Sequence, residues 1–97
     1  MPKYIILGKY TTQGISRIKD GPQRTASAKQ AFEAAGCKMT EFNLTLGEYD
    51  FVSQVEAPDD ETFTRAILGI ASGGNISTET LRAFTEDEYR RIVAAMP

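Results

Sequence analysis

Asp50 is the residue of this chain that most needs a partner. Aspartate is disfavoured inside strands, yet it stands between Tyr49 and Phe51 at the head of the strand-forming run YDFVSQVE. A carboxylate beside a phenol can orient a ligand, or act as a general base with the tyrosine as hydrogen-bond donor. It can equally accept backbone N–H groups in a turn, or face Lys9 across a strand pair. Tyr49 carries the same two readings, because a packed ring with a hydrogen-bonded hydroxyl is ordinary core behaviour.

Much other chemistry is closed to this sequence. It has no histidine and no tryptophan, so the usual neutral-pH proton shuttle and the commonest transition-metal ligand are both missing. Ser–His–Asp and Cys–His nucleophiles are excluded with them. The acidic residues fall singly or in short helix-start clusters, not in the spaced calcium-loop pattern, so no metal site is expected. No cofactor motif is present and no cofactor is expected. Gly69, Gly73 and Gly74 sit at a helix C-terminal end, where the dipole has the wrong sign for a phosphate. Arg17, Lys19 and Arg24 read as scattered surface charge.

The elements that must position Asp50 follow from period and punctuation. KYIILGKY, residues 3–10, is apolar on both parities and reads as a central strand covered on both faces. Thr12 is placed to cap a short helical segment, and Asp20 with Pro22 opens a longer helix ending at Gly36. Ala28, Ala31, Phe32 and Ala35 form its core stripe. Met39 to Leu46 reads as a second strand, with Phe42, Leu44 and Leu46 on one face and Glu41, Asn43 and Thr45 on the other. Gly47 then turns the chain through a hairpin into a third strand, Tyr49 to Glu56, closed by Pro58. Asp59 caps a second main helix, which carries Phe63, Ala66, Ile67, Ile70 and Ala71 and ends at Gly73–Gly74. Asn75 to Phe84 supplies a fourth strand, and Thr85 with Glu88 forms a capping box for a last helix bearing Tyr89, Ile92, Val93 and Met96.

Strand, helix, strand, strand, helix, strand is the ferredoxin-like order, with one helix appended. It predicts an α+β fold with an antiparallel sheet ordered 4-1-3-2 and both main helices on one face. The end of the first strand then lies beside the starts of the third and fourth. Lys9, Tyr10, Tyr49, Asp50 and Ser77 should gather there as a polar rim, the default ligand-binding site. The uncovered sheet face, with Glu41, Asn43, Thr45, Asp50, Val52, Gln54 and Glu56, reads either as an oligomer interface or as a solvated surface.

The 97 residues predict one domain, 1–97, and a chain this short gains much by associating with a copy of itself. Eleven basic residues against thirteen acidic give a net charge of −2, which argues against a nucleic-acid partner. No apolar run approaches the length of a membrane span, so no membrane partner and a cytoplasmic location are expected. The lone Cys37 fits a reducing compartment and reads as a small buried residue.

Three stretches, KYIILGKYT, LGEYDFV with the following EAPDDE, and GGNISTETLRAFTEDE, resemble the GYD-domain family of small bacterial and archaeal proteins across essentially the whole chain. The naming motif stands here as Gly47-Glu48-Tyr49-Asp50. The resemblance implies the dimeric α/β-barrel type of assembly, in which two open sheet faces pack around a cavity. A looser likeness runs to the effector-binding domain of feast/famine transcription regulators, where amino acids bind between subunits. Two functions are carried forward. One is a small-ligand-binding or regulatory oligomer; the other is a cofactor-independent oxygenase or isomerase using Asp50 with Tyr10 or Tyr49.

Overall fold

The computed structural model describes residues 1–97 and runs β1 (Lys3–Tyr10), α1 (Thr12–Ser16), a 3-10 turn (Ile18–Asp20), α2 (Gly21–Ala34), β2 (Lys38–Leu44), β3 (Phe51–Glu56), α3 (Asp60–Ala71), β4 (Ile76–Ala83) and α4 (Glu86–Ala94). The four strands form one antiparallel sheet in the order β2-β3-β1-β4, the expected 4-1-3-2 order read from the other edge. This is the ferredoxin-like α+β architecture.

Alternation along the strands decides which face is core. Tyr4 and Ile6 of β1 and Phe51, Ser53 and Val55 of β3 are buried beneath α2 and α3. They join Phe32, Phe63, Ile67, Cys37 and Ala57 in the core. Ser53 tolerates this position because its hydroxyl donates to Glu41 O at 2.8 Å. Three rings knit the layers together: Tyr4 stacks on Phe63 with centroids 4.3 Å apart, and Phe63 lies 6.0 Å from Phe32.

The Tyr4 hydroxyl donates to the Asp60 carboxylate at the start of α3. Burial, that hydrogen bond and the negative charge of Asp60 push the phenol from its ordinary 10.0 up to about 12. A group whose value is raised by folding stabilises the protein fully below its unfolded value and loses that contribution as pH rises through the folded one. Stability should therefore decline between about pH 10 and about pH 12. Urea unfolding across that window checks this, with Tyr4→Phe expected to remove its part of the slope.

Several local readings shift. The N-cap of α1 is Thr11, not Thr12, because the Thr11 hydroxyl both accepts from Gly14 N–H at 3.0 Å and donates to Gly74 O at 2.6 Å. Asp20 precedes α2 without a side-chain cap, since the 3-10 turn feeds directly into the helix. The link between β2 and β3 covers residues 45–50 and is no tight hairpin. Thr45 closes it, its N–H donating to Asp50 O at 2.9 Å and its hydroxyl to Tyr49 O at 2.6 Å. Gly47, at φ +127°, makes the bend that side-chain-bearing residues avoid. A bulge at Thr40 offsets β2 against β3.

β1 is covered on one face only, and Ile5 and Leu7 look out half-buried from the other. The α2 stripe is likewise incompletely covered: Phe32 is buried and Ala28 half-buried, but Ala31 and Ala35 are exposed. The capping box of α4 forms as read, Thr85 N–H donating to Glu88 Oε1 at 2.8 Å and Glu88 N–H to Thr85 Oγ1 at 3.1 Å. Its apolar face nevertheless stays in solvent, with Tyr89 62% and Met96 64% exposed. The molecule measures 52 × 31 × 17 Å.

Candidate functional site

The rim assembles where the strand order puts it. Ser77 of β4 stands opposite Lys9 of β1, and Phe51 opposite Gly8, with Asp50 N–H extending that ladder to Gly8 O at 2.8 Å. The 45–50 loop brings Tyr49 over the open face, beside Leu7 and Lys9. Its hydroxyl donates to Glu79 Oε2 at 2.6 Å, and the Lys9 ammonium lies 5.4 Å from its ring centroid, within cation–π range. The Glu79 carboxylate, as hydrogen-bond acceptor and as nearby charge, holds the Tyr49 phenol above its ordinary value. Leu7, Lys9, Tyr49, Ser77, Thr78 and Glu79 enclose a shallow recess of about 210 Å³.

Glu79 is the member that sequence reasoning missed. It faces Leu7 two residues along from Ser77, so only the β4 register places it under the Tyr49 hydroxyl. Threonine-rich alternation in β4 carries no signal for that register.

Asp50 and Tyr10 are placed differently. The Asp50 carboxylate accepts the Tyr10 backbone N–H at 2.8 Å, which satisfies a donor of β1 beyond its last partner in β3. The Tyr10 ring turns to the helix-covered face and lies 5.6 Å from Phe51. Neither tyrosine hydroxyl meets Asp50, and Lys9 makes no ion pair with it. The geometry thus gives Asp50 work as a backbone acceptor. Asp50→Asn keeps an acceptor and should cost about 1 kcal/mol or less, whereas Asp50→Ala strands the N–H and should cost about 1–3 kcal/mol. Chemical denaturation of both variants checks the difference; an alanine variant as stable as wild type would mean that water serves Tyr10 equally well.

No three of the acidic residues and Cys37 converge as a metal site would require. Cys37 is buried, and burial followed by the Asp59 charge raises its thiol above the ordinary value, away from nucleophilic reactivity. No helix is long and apolar enough to cross a membrane.

A ferredoxin-like domain with an open sheet face and a Tyr49–Glu79–Lys9 rim is thereby defined. The chain belongs to the GYD-domain family, whose model matches residues 4–93. It is 38% identical over 84 residues, 86% of this chain and 88% of the relative, to a Thermus thermophilus protein described as a glutamine synthetase and cystathionine beta-lyase binding protein. The crystal structure of a Thermus thermophilus protein superposes with a TM-score of 0.56 at 24% identity, covering 88% of this chain and 95% of that one, and shares the fold.

Proposed function

We propose that this chain is a non-catalytic binding protein that assembles as a homo-oligomer through its open sheet face and regulates a metabolic enzyme by docking on it. The observation that carries this is the apolar centre of that face. The residues that β2 and β3 contribute to the face are nearly all polar. The central strand adds Ile5 and Leu7 beside Val52 of β3, and β4 adds Leu81, which is 44% exposed. Around them stand Lys3, Lys9, Glu41, Gln54 and Glu79. An apolar centre ringed by charges of both signs is the anatomy of a protein interface, and a two-fold related copy can meet Lys with Glu across it.

The rim bordering this face supports a small polar ligand admitted between copies, held by Lys9, Tyr49, Ser77 and Glu79, with Tyr10 and Asp50 buttressing the strand end behind them. A binding role rather than catalysis is favoured because the side chains available for proton transfer are engaged: Asp50 with a backbone N–H and Tyr49 with Glu79. The Thermus relative's description as a protein that binds two enzymes supports a protein partner. Setting and partner agree with a cytoplasmic location.

Surface plasmon resonance tests the partner. Glutamine synthetase and cystathionine beta-lyase from the organism that encodes this chain are immobilised in turn, and saturable binding to at least one at micromolar concentration is expected. Failure of both to bind would overturn the regulatory reading.

A further inference from the structure

On the opposite side of the sheet, α2 and α3 together line a cleft over the core. The Phe32–Phe63 stack pins them at one end, with centroids 6.0 Å apart. Away from that stack, small residues contribute much of the helix lining, Ser27, Ala28 and Ala31 on α2 and Ala66 and Gly69 on α3, beside the longer Arg24, Arg65 and Ile70. The cleft has a volume of about 550 Å³ and is floored by aromatic and aliphatic side chains that include Tyr10, Phe42 and Phe51. That volume lies within the few-hundred-to-1,000 Å³ range typical of small-molecule sites, roughly.

Its charge is one-sided. The overall chain is acidic, at −2, yet the charged residues lining the cleft are two arginines, Arg24 and Arg65, with no aspartate or glutamate. Arg24 is fixed in position, its guanidinium donating to Arg17 O at 3.1 Å and Gly14 O at 3.0 Å, and no carboxylate neutralises it. Arg65 reaches Glu61 at 3.5 Å in an exposed i,i+4 pair, an attachment weak enough for a ligand anion to share. We propose that the cleft between α2, α3 and the sheet is a binding site for a small organic anion with an aromatic or branched apolar body, the body lodged against Phe42 and Phe51 and the anionic head at Arg24 and Arg65. This site is separate from the rim and from the open sheet face.

A matched pair of fluorescent probes reads both halves of that statement on the full chain. 1-Anilinonaphthalene-8-sulfonate carries the same rings as the neutral N-phenyl-1-naphthylamine and differs by its anionic group. The sulfonate is expected to bind saturably, one per chain, and at least about tenfold more tightly than the neutral probe, the factor that a charge-assisted contact supplies. Arg65→Gln should weaken the sulfonate several-fold and leave the neutral probe unchanged. Gly69→Leu should abolish binding of both while the chain keeps a cooperative melt, because a Cβ at Gly69 meets open space and glycine is a poor helix residue. Equal affinity for the two probes, indifference to Arg65→Gln, or full binding by Gly69→Leu would each overturn the proposal. So would a wild type that binds neither probe until Ile92→Asp is introduced, since that would assign the cleft to the C-terminal helix of a second copy.

Discussion

Phe63→Ala is expected to remove about 3–5 kcal/mol of stability, the usual cost of truncating a fully packed phenylalanine. The ring is 2% exposed and lies between Tyr4 below it and Phe32 beside it, so its loss opens a cavity bounded by two aromatic faces that cannot close on each other. It also removes the aromatic contact that joins α2 to α3. The variant should melt more than about 12 °C below wild type, given roughly 4–8 °C per kcal/mol for a domain of this size. Thermal denaturation followed by circular dichroism measures it. A fall of only a few degrees would mean that the Tyr4–Phe63–Phe32 stack is not what joins helices to sheet.

Gly14→Ala should be nearly as damaging although it adds a single methyl group. A Cβ at Gly14 would stand 2.0 Å from the Asn75 carbonyl oxygen, a backbone atom that cannot swing aside. That oxygen already accepts Thr11 N–H at 3.1 Å, and Gln13 Nε2 donates to Gly73 O at 3.2 Å and Asn75 Oδ1 at 3.1 Å. The start of α1 is thus laced to the segment that leads into β4, and relieving the clash must break part of that lacing. A loss of about 3 kcal/mol is expected, at the upper end for overpacking because backbone must move. Chemical denaturation provides the value; a loss under about 1 kcal/mol would show that residues 73–75 yield easily. Because Gly14 O also holds Arg24, the same variant should loosen the mouth of the α2–α3 cleft.

The features legible in the sequence are those decided by neighbours along the chain. Thr85 and Glu88 announce a capping box that needs nothing beyond four residues, and Asp59 before the Phe63, Ile67, Ile70 series announces α3. Strand order follows from the alternation of periods, and it brings Lys9, Tyr49 and Ser77 together as expected. What was hidden depends on distances between elements. Glu79 joins Tyr49 only through the register of β4 on β1. Asp50 has its acceptor role because Tyr10 N–H, forty residues away, lies past the end of the β1–β3 ladder. The α2 alanines satisfy a helical core stripe on paper, but small side chains also let two helices stand apart, and nothing in their spacing says which. Likewise the apolar pattern of α4 predicts a helix and cannot say what the helix packs against.

Sedimentation velocity on wild type and Leu81→Asp tests the open sheet face most directly. Leu81 lies on the edge strand, 44% exposed and opposite Ile5, so a charge there spoils the apolar centre without touching the core beneath α2 and α3. Wild type is expected to sediment as a dimer or larger species at micromolar concentration, and Leu81→Asp as a monomer with an unchanged circular dichroism spectrum. A monomeric wild type, or a variant that associates as tightly as wild type, would contradict assembly through this face.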